Sequence, residues 1–216
     1  MREFSAPPVA AVSDDANLTD PVWRNADTDP DLVQFSRREG GAWKGVTAAR
    51  FRDEVITVAK GLIAAGVGSG DRVGLMSKTR YEWTLFDYAI WAAGGVVVPV
   101  YETSSAEQVE WILSDSGAVA CVVETDDHAA VVDSVRDRLP ALRQIWRIEQ
   151  DAVAKLTAQG EGNSGEEVAQ RRVSRKADDL ATLIYTSGTT GRPKGCVLTH
   201  RNLYSATANV IPGLQA

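Results

Sequence analysis

The residues best suited to chemistry lie in one short segment near the C-terminal end of the chain. An apolar run at 180–185 leads directly into residues that carry a hydroxyl or no side chain, and a lysine follows. Glycines let backbone N–H groups approach an anion closely, hydroxyls add donors, and a lysine adds positive charge. These residue types predict a loop that binds a polyphosphate. Its residues are Thr186, Ser187, Gly188, Thr189, Thr190, Gly191, Arg192, Pro193, Lys194 and Gly195.

The order of residues in this loop differs from a Walker A loop, which has G-x-x-x-x-G-K-[ST] before a helix. Here Pro193 precedes Lys194, Gly195 follows it, and residues 196–199 have the pattern of a strand. A phosphate site at a helix N-terminus is therefore not expected, which disfavours P-loop kinases and GTPases. The glycine cluster at 66–70 lacks the spacing of a dinucleotide fingerprint and predicts a turn between a helix and a strand.

Several other reactive or aromatic residues are better explained as structure. Cys196 has no histidine placed beside it by the sequence, so we expect a small buried strand residue rather than a nucleophile. His200 could contact a nucleotide or begin a helix beside Asn202. Three aromatic residues could line an acyl-chain pocket, although their helical spacing favours core packing. They are Tyr81, Trp83 and Trp111.

The composition excludes some classes of function. The chain has 216 residues, of which 44% are hydrophobic and 24% charged, an ordinary balance for a globular protein. Its formal net charge of −6 disfavours nucleic-acid binding, which depends on clustered Lys and Arg. The two histidines and two cysteines lack ligand spacing, so no zinc site is expected.

The chain also carries no recognisable export or membrane signal. Its N-terminal residues lack the apolar run of a secretory signal, and its longest uncharged stretch, 88–101, is too short and too broken to span a bilayer. Together with two unpaired cysteines, this predicts a cytoplasmic location, with peripheral contact to a membrane left open.

The hydrophobic pattern alternates helices and strands and predicts an α/β fold with layered α/β/α sheets. We expect an irregular lead-in at 1–30, a first α/β subdomain at 31–150 and a polar connector at 151–177. Residues 178–216 are expected to begin a second subdomain, with its own sheet and the phosphate loop. The run of arginines at 171–176 could bind an anion, but nearby acids favour a solvated helix face.

Local signals place some helix ends. Thr47 is positioned to cap a helix that ends at Gly66. Ser104 and Glu107 have the spacing of a capping box for the next-but-one helix, which Gly117 ends. A further helix is expected over 126–138, before Pro140.

The phosphate loop and residues 198–203 resemble the signature of the adenylate-forming (AMP-binding) superfamily, which includes acyl-CoA synthetases, peptide adenylation domains and luciferases. The resemblance extends to residues 70–73, 79–83 and 99–105, and so covers the chain from about Asp31 onward. The last two segments look most like bacterial long-chain fatty acid–CoA ligases.

The resemblance implies a two-step ligase that uses ATP, Mg²⁺, CoA and a fatty acid. A carboxylate and ATP give acyl-AMP and pyrophosphate, and CoA then displaces AMP. It assigns phosphate contacts to Thr186, Ser187, Gly188, Thr189, Thr190, Gly191 and Lys194, with Thr186 also a candidate Mg²⁺ ligand.

The family's adenine, ribose and catalytic lysine segments normally come later in the chain. We therefore expect an N-terminal fragment of the large domain that holds no catalytic residue and is inactive alone. Three alternatives stay open: an acyl-AMP ligase, an amino-acid adenylation enzyme and, for the isolated chain, a non-catalytic nucleotide-binding or interaction module.

Overall fold

The structure is a computed structural model that describes residues 10–186 and 192–214, with side chains described up to residue 210. Its strands are β1 (Val33–Glu39), β2 (Ala42–Thr47), β3 (Arg72–Met76), β4 (Val96–Val100), β5 (Ala120–Val123), β6 (Gln144–Arg147), β7 (Leu180–Thr186) and β8 (Lys194–Thr199). Its helices are α1 (Asp20–Thr28), α2 (Ala48–Ala64), α3 (Tyr81–Ala92), α4 (Ala106–Ser116), α5 (Asp126–Asp133), α6 (Ala152–Gly160), α7 (Gly165–Ser174) and α8 (His200–Leu214). Short 3₁₀ helices lie at Arg136–Arg138 and Ile148–Gln150.

A six-stranded sheet in the order β6-β5-β3-β4-β7-β8 forms the centre of the fold. Strands β3 to β7 run parallel, and β8 returns antiparallel to β7 at the sheet edge. The predicted hairpin is present as β1 and β2, which form a separate antiparallel pair.

Helices cover both faces of this sheet, which confirms the layered α/β/α class. One apolar core joins α2, α3, α6 and α7 to side chains such as Val73 and Val97. A second core joins α4 and α5 to Val98 and Cys121 on the opposite face. Neighbouring residues of one strand thus face different cores, as the alternation of strand side chains requires.

The expectation of a second sheet at 178–216 is wrong, because β7 pairs with β4 in the first sheet through Val97 and Thr182. The Thr182 hydroxyl donates to the Val97 carbonyl at 2.9 Å, and Trp91 Nε1–H donates to the Ala181 carbonyl at 2.9 Å. Leu183 is consequently partly buried. Because α6 and α7 separate β7 from the preceding strands in the sequence, no local pattern indicates that β7 pairs with β4.

Two segments predicted without regular structure contain helices. The lead-in holds α1, whose first turn carries Pro21 and whose Val22 and Ala26 are buried. Proline is well tolerated in a first helical turn, so a proline-rich composition did not exclude a helix. The connector holds α6 and α7, and the polar break expected near 159–165 separates them.

Most predicted helix ends are confirmed. Thr47 caps α2 by accepting a hydrogen bond from the Arg50 N–H, and Gly66 follows the helix with a φ of +88°. The capping box of α4 lies one residue later than predicted, at Ser105 and Gln108. Helix α5 ends earlier than predicted, and a 3₁₀ turn replaces its last residues. No helix in the described residues is long and apolar enough to cross a membrane.

Candidate functional site

A cleft opens where β3, β4 and β7 end at one edge of the sheet. The chain leaves β3 for α3 on one face and leaves β4 for α4 on the other, and such a divergence forms the ligand crevice of open α/β sheets. The cleft has a volume of about 510 Å³. It is lined by Ser77, Lys78, Thr79, Trp83, Pro99, Val100, Tyr101, Glu102, Ile184 and Tyr185.

Glu124, at the end of β5, fixes the loop that follows β3. The Lys78 backbone N–H donates to its carboxylate at 2.9 Å, and Arg80 donates to it at 3.3 Å. Burial disfavours the charged carboxylate, but these hydrogen bonds and the Arg80 charge outweigh it and hold the pKa of Glu124 below its ordinary value. Sequence reasoning missed Glu124, although an acid directly after a buried strand is a recognisable signal.

The β7–β8 hairpin brings two predicted phosphate contacts together. Thr186 and Lys194 are directly opposite each other in the antiparallel ladder, and both are exposed. Directly opposed residues project on the same face of a sheet. Across residues 10–186 and 192–214, Lys194 has no ion-pair partner, so its charge is available to a ligand. The other predicted contacts, Ser187, Gly188, Thr189, Thr190 and Gly191, lie outside the described residues.

Helix α4 contacts the residues on either side of this pair. Trp111 Nε1–H donates to the Pro193 carbonyl at 2.8 Å. The Tyr185 hydroxyl donates to the Asp115 carboxylate at 2.6 Å. Burial, followed by the hydrogen bond and the charge of Asp115, raises the pKa of Tyr185, so its hydroxyl keeps its proton and remains a donor.

Comparison with known protein families gives a match over most of this chain. The family model described as AMP-binding enzyme matches residues 22–215 of this chain. The chain belongs to the AMP-binding enzyme family. The resemblance seen in the phosphate loop is thereby confirmed.

The AMP-binding relatives include long-chain fatty acid–CoA ligases. FadD15, a long-chain-fatty-acid–CoA ligase of Mycobacterium bovis, is 46% identical over 206 residues, which are 94% of this chain and 34% of that ligase. FadD15 of Mycobacterium tuberculosis matches at the same identity and coverage. The structure of a Mycobacterium tuberculosis fatty acyl CoA synthetase matches with a TM-score of 0.72 at 27% identity, covering 87% of this chain and 35% of that one. The present chain therefore spans about a third of the length of these relatives.

The alternative reactive residues of this AMP-binding chain have structural roles. His200 is buried and accepts a hydrogen bond from the Leu18 N–H at Nδ1, and burial lowers its pKa to about 4. Thr199, the residue before α8, caps this helix instead of His200, through reciprocal hydrogen bonds with Asn202. Cys196 is exposed, contrary to expectation, because β8 is an edge strand.

The three aromatic residues divide between core and site. The Tyr81 ring packs in an aromatic cluster with Phe35 and its hydroxyl donates to Glu54, which confirms the core interpretation. Trp83 packs against the core and also lines the cleft. Trp111 packs partly against the second core, and its indole N–H donates a hydrogen bond to the Pro193 carbonyl of the loop.

The arginine run holds the fold together rather than forming an anion site. Arg171 donates to the carbonyls of Val67 and Ala93, which attaches α7 to the segments that precede β3 and β4. Arg172 pairs with Asp20 at 2.7 Å and thereby joins α7 to α1. The expectation of a solvated helix face is wrong for Arg172, which is largely buried.

A magnesium site is not complete in the described residues. No group of three His, Cys, Asp or Glu side chains in that part of the chain could hold a metal ion. Thr186 offers one hydroxyl oxygen beside the exposed Lys194. Because Mg²⁺ in nucleotide enzymes takes much of its coordination from phosphates and water, these residues fit a metal that arrives with a nucleotide.

Proposed function

We propose that this chain is part of an ATP-dependent long-chain fatty acid–CoA ligase and supplies its phosphate-binding loop. The observation that carries the proposal is the position of Thr186 and Lys194, which are exposed and directly opposite each other at the end of the β7–β8 ladder. The likeness to FadD15 over nearly the whole chain supports the fatty acid as substrate. The two free cysteines support the cytoplasm as its location.

The proposed reaction is the transfer of AMP from ATP to a fatty carboxylate, followed by displacement of AMP by the CoA thiol. The loop binds the β- and γ-phosphates, which become the leaving pyrophosphate. Thr186, Ser187, Thr189 and Thr190 donate hydrogen bonds, the glycines expose backbone N–H groups, and Lys194 neutralises charge that grows on the leaving group. Thr186 would be the residue that holds a Mg²⁺ ion arriving with ATP, and such an ion would add further neutralisation of the phosphates.

This role is one of placement and electrostatics. No nucleophile is needed from the loop, because the substrate carboxylate attacks the α-phosphorus and the CoA thiol attacks the acyl carbonyl. The buried Cys121, whose pKa burial raises to about 12, is unsuited to nucleophilic attack.

The substrate class is tested with the full-length gene product by ATP–pyrophosphate exchange. We expect exchange that depends on palmitate, and palmitoyl-CoA and AMP once CoA is added. Palmitoyl-AMP that accumulates in the presence of CoA would indicate an acyl-AMP ligase instead. Exchange with an amino acid and none with palmitate would indicate an amino-acid adenylation enzyme. Nucleotide binding without any exchange would contradict both and favour a binding module.

A further inference from the structure

Helix α4 contacts both ends of the predicted phosphate loop with side chains on one helical face. Trp111 and Asp115 are four residues apart, so they project on the same side of α4. Trp111 donates to the Pro193 carbonyl, and Asp115 accepts from the Tyr185 hydroxyl. Each contacted residue directly precedes a predicted phosphate contact. One helix therefore holds both the entry and the exit of the loop.

Two further contacts tighten this arrangement. The Arg192 guanidinium lies 4.6 Å from the centre of the Trp111 ring, at cation–π distance. Gly195 faces the ring of Tyr185 so closely that a Cβ at position 195 would lie 3.2 Å from Tyr185 Cζ. Tyr185, the last residue before the loop, thus packs against Gly195 at the end of the loop, and Arg192 and Pro193 of the loop contact α4.

Helix α4 is a firm support for these contacts. Its N-terminus has a complete capping box between Ser105 and Gln108. Its C-terminus ends at Gly117 in the left-handed conformation, with a φ of 63°. Val109 and Leu113 bury its other face in the second core. A side chain held by such a helix keeps its position better than one held by a loop.

The sheet alone does not fix this end of the hairpin. Within the described residues, the ladder between β4 and β7 pairs Val97 with Thr182, four residues before Thr186. The β7–β8 ladder holds the two ends of the loop to each other, but not to the cleft. The Tyr185 ring packs in the second core, and the two hydrogen bonds to α4 complete the attachment.

We propose that Trp111 and Asp115 are positioning residues that fix both ends of the phosphate loop relative to the cleft. The proposal rests on the proposed function, because it assumes that the loop binds the phosphates of ATP. Ordering a loop around a ligand costs conformational entropy, and fixed ends reduce that cost. The proposal gives neither side chain a contact with the reacting atoms, so weakening the support should raise the KM for ATP more than it lowers kcat.

The first test measures the loop ends without nucleotide, by amide hydrogen exchange on the full-length gene product. Trp111→Phe and Tyr185→Phe each keep an aromatic ring and remove one hydrogen bond. We expect the Thr186 and Lys194 amides to exchange several-fold faster in both variants. Trp91→Phe is the matched control, because it removes an indole bond to the Ala181 carbonyl at the far end of the same strand. It should leave these two amides unchanged.

The second test compares kinetic constants for adenylation. Loss of one hydrogen bond is expected to raise the KM for ATP about two- to tenfold in Trp111→Phe and Tyr185→Phe. The KM for fatty acid should stay unchanged. Asp115→Asn keeps an acceptor oxygen and should resemble the parent, whereas Asp115→Ala should resemble Tyr185→Phe.

Parent-like amide exchange and ATP KM in both loop-end variants would overturn the proposal, as would an equal effect of the Trp91 control. A parent enzyme without adenylation activity would instead contradict the proposed function. In that case the exchange rates alone decide whether α4 holds the ends of the loop.

Discussion

At the scale of single residues, Asp87 occupies an unfavourable environment for a carboxylate. It lies on α3 with 7% of its surface exposed, and its Oδ1 has no hydrogen-bond partner in the described part of the chain. Burial raises its pKa to about 8. Because the unfolded carboxyl has a pKa near 3.8, the folded chain holds a proton that the unfolded chain releases between these two values. Stability should therefore fall as pH rises through this window.

Asp87→Asn is expected to remove this pH dependence, since the amide carries no charge. At pH 8 the variant should gain a few kcal/mol of unfolding free energy over the parent, because the folded parent must either keep a proton or bury a charge, and each unit by which a pKa is raised corresponds to about 1.4 kcal/mol. At pH 4 the two proteins should be nearly equal. Denaturant unfolding at both pH values provides the measurement, and the exposed Asp137→Asn serves as the control. An equal gain at both pH values would show that ionisation of Asp87 is not the cause.

At the scale of elements, two glycines set how closely α2 and α6 approach. A Cβ at Gly61 would overlap the Leu156 carbonyl oxygen, and a Cβ at Gly160 would lie 2.5 Å from the Gly61 nitrogen. The two backbones are therefore in direct contact, and the methyl group of alanine does not fit between them.

Gly61→Ala should lower the unfolding free energy by about 1–3 kcal/mol, as expected for overpacking. The matched control is Gly162→Ala, because a Cβ at that position meets nothing within 4 Å. Thermal unfolding of the two variants separates lost space from a general effect of alanine. If the two melting temperatures were equal, the close approach of these helices would not limit stability.

The sequence predicts elements well where the signal is local. The cap at Thr47 and the stop at Gly117 each depend on residues within one turn, and the structure contains both. The predicted capping box lies one residue too early because Ser104–Glu107 and Ser105–Gln108 have the same spacing. Only the backbone conformation shows which of the two serines precedes the first turn of α4. The place of β7 beside β4 depends on a neighbour 85 residues away, which no local pattern records.

At the scale of the whole molecule, the sequence likewise predicts the local part of the candidate site but not the contacts between distant residues. Residue types suggested Thr186 and Lys194 as candidate phosphate contacts, and the β7–β8 ladder places them opposite each other. The role of α4 was not predicted, because its hydrogen bonds join residues 70 and 82 positions apart. Glu124 was missed for the same reason, since its partners follow a different strand.

A polypeptide of these 216 residues alone is expected to make no acyl-CoA. It spans 34% of the length of FadD15, and adenylation needs the carboxylate, the α-phosphate and neutralising charges held together. A phosphate loop alone should bind ATP at about millimolar strength or weaker. The check is ATP–pyrophosphate exchange by the monodisperse chain with palmitate and Mg²⁺. Turnover above that of its Lys194→Ala variant would show a complete active site within these residues.

The claim that the end of the β7–β8 hairpin binds the phosphates of ATP is tested most directly at Lys194. The measurement is palmitate-dependent ATP–pyrophosphate exchange by the full-length gene product, comparing Lys194→Ala with Lys155→Ala. Lys155 is an exposed lysine of α6, remote in sequence from the loop. A charge-assisted phosphate contact contributes about 1.5–3 kcal/mol, so we predict that Lys194→Ala lowers kcat/KM for ATP about ten- to a hundredfold. Lys155→Ala should match the parent. Equal exchange by all three proteins would contradict the assignment of this loop to phosphate binding.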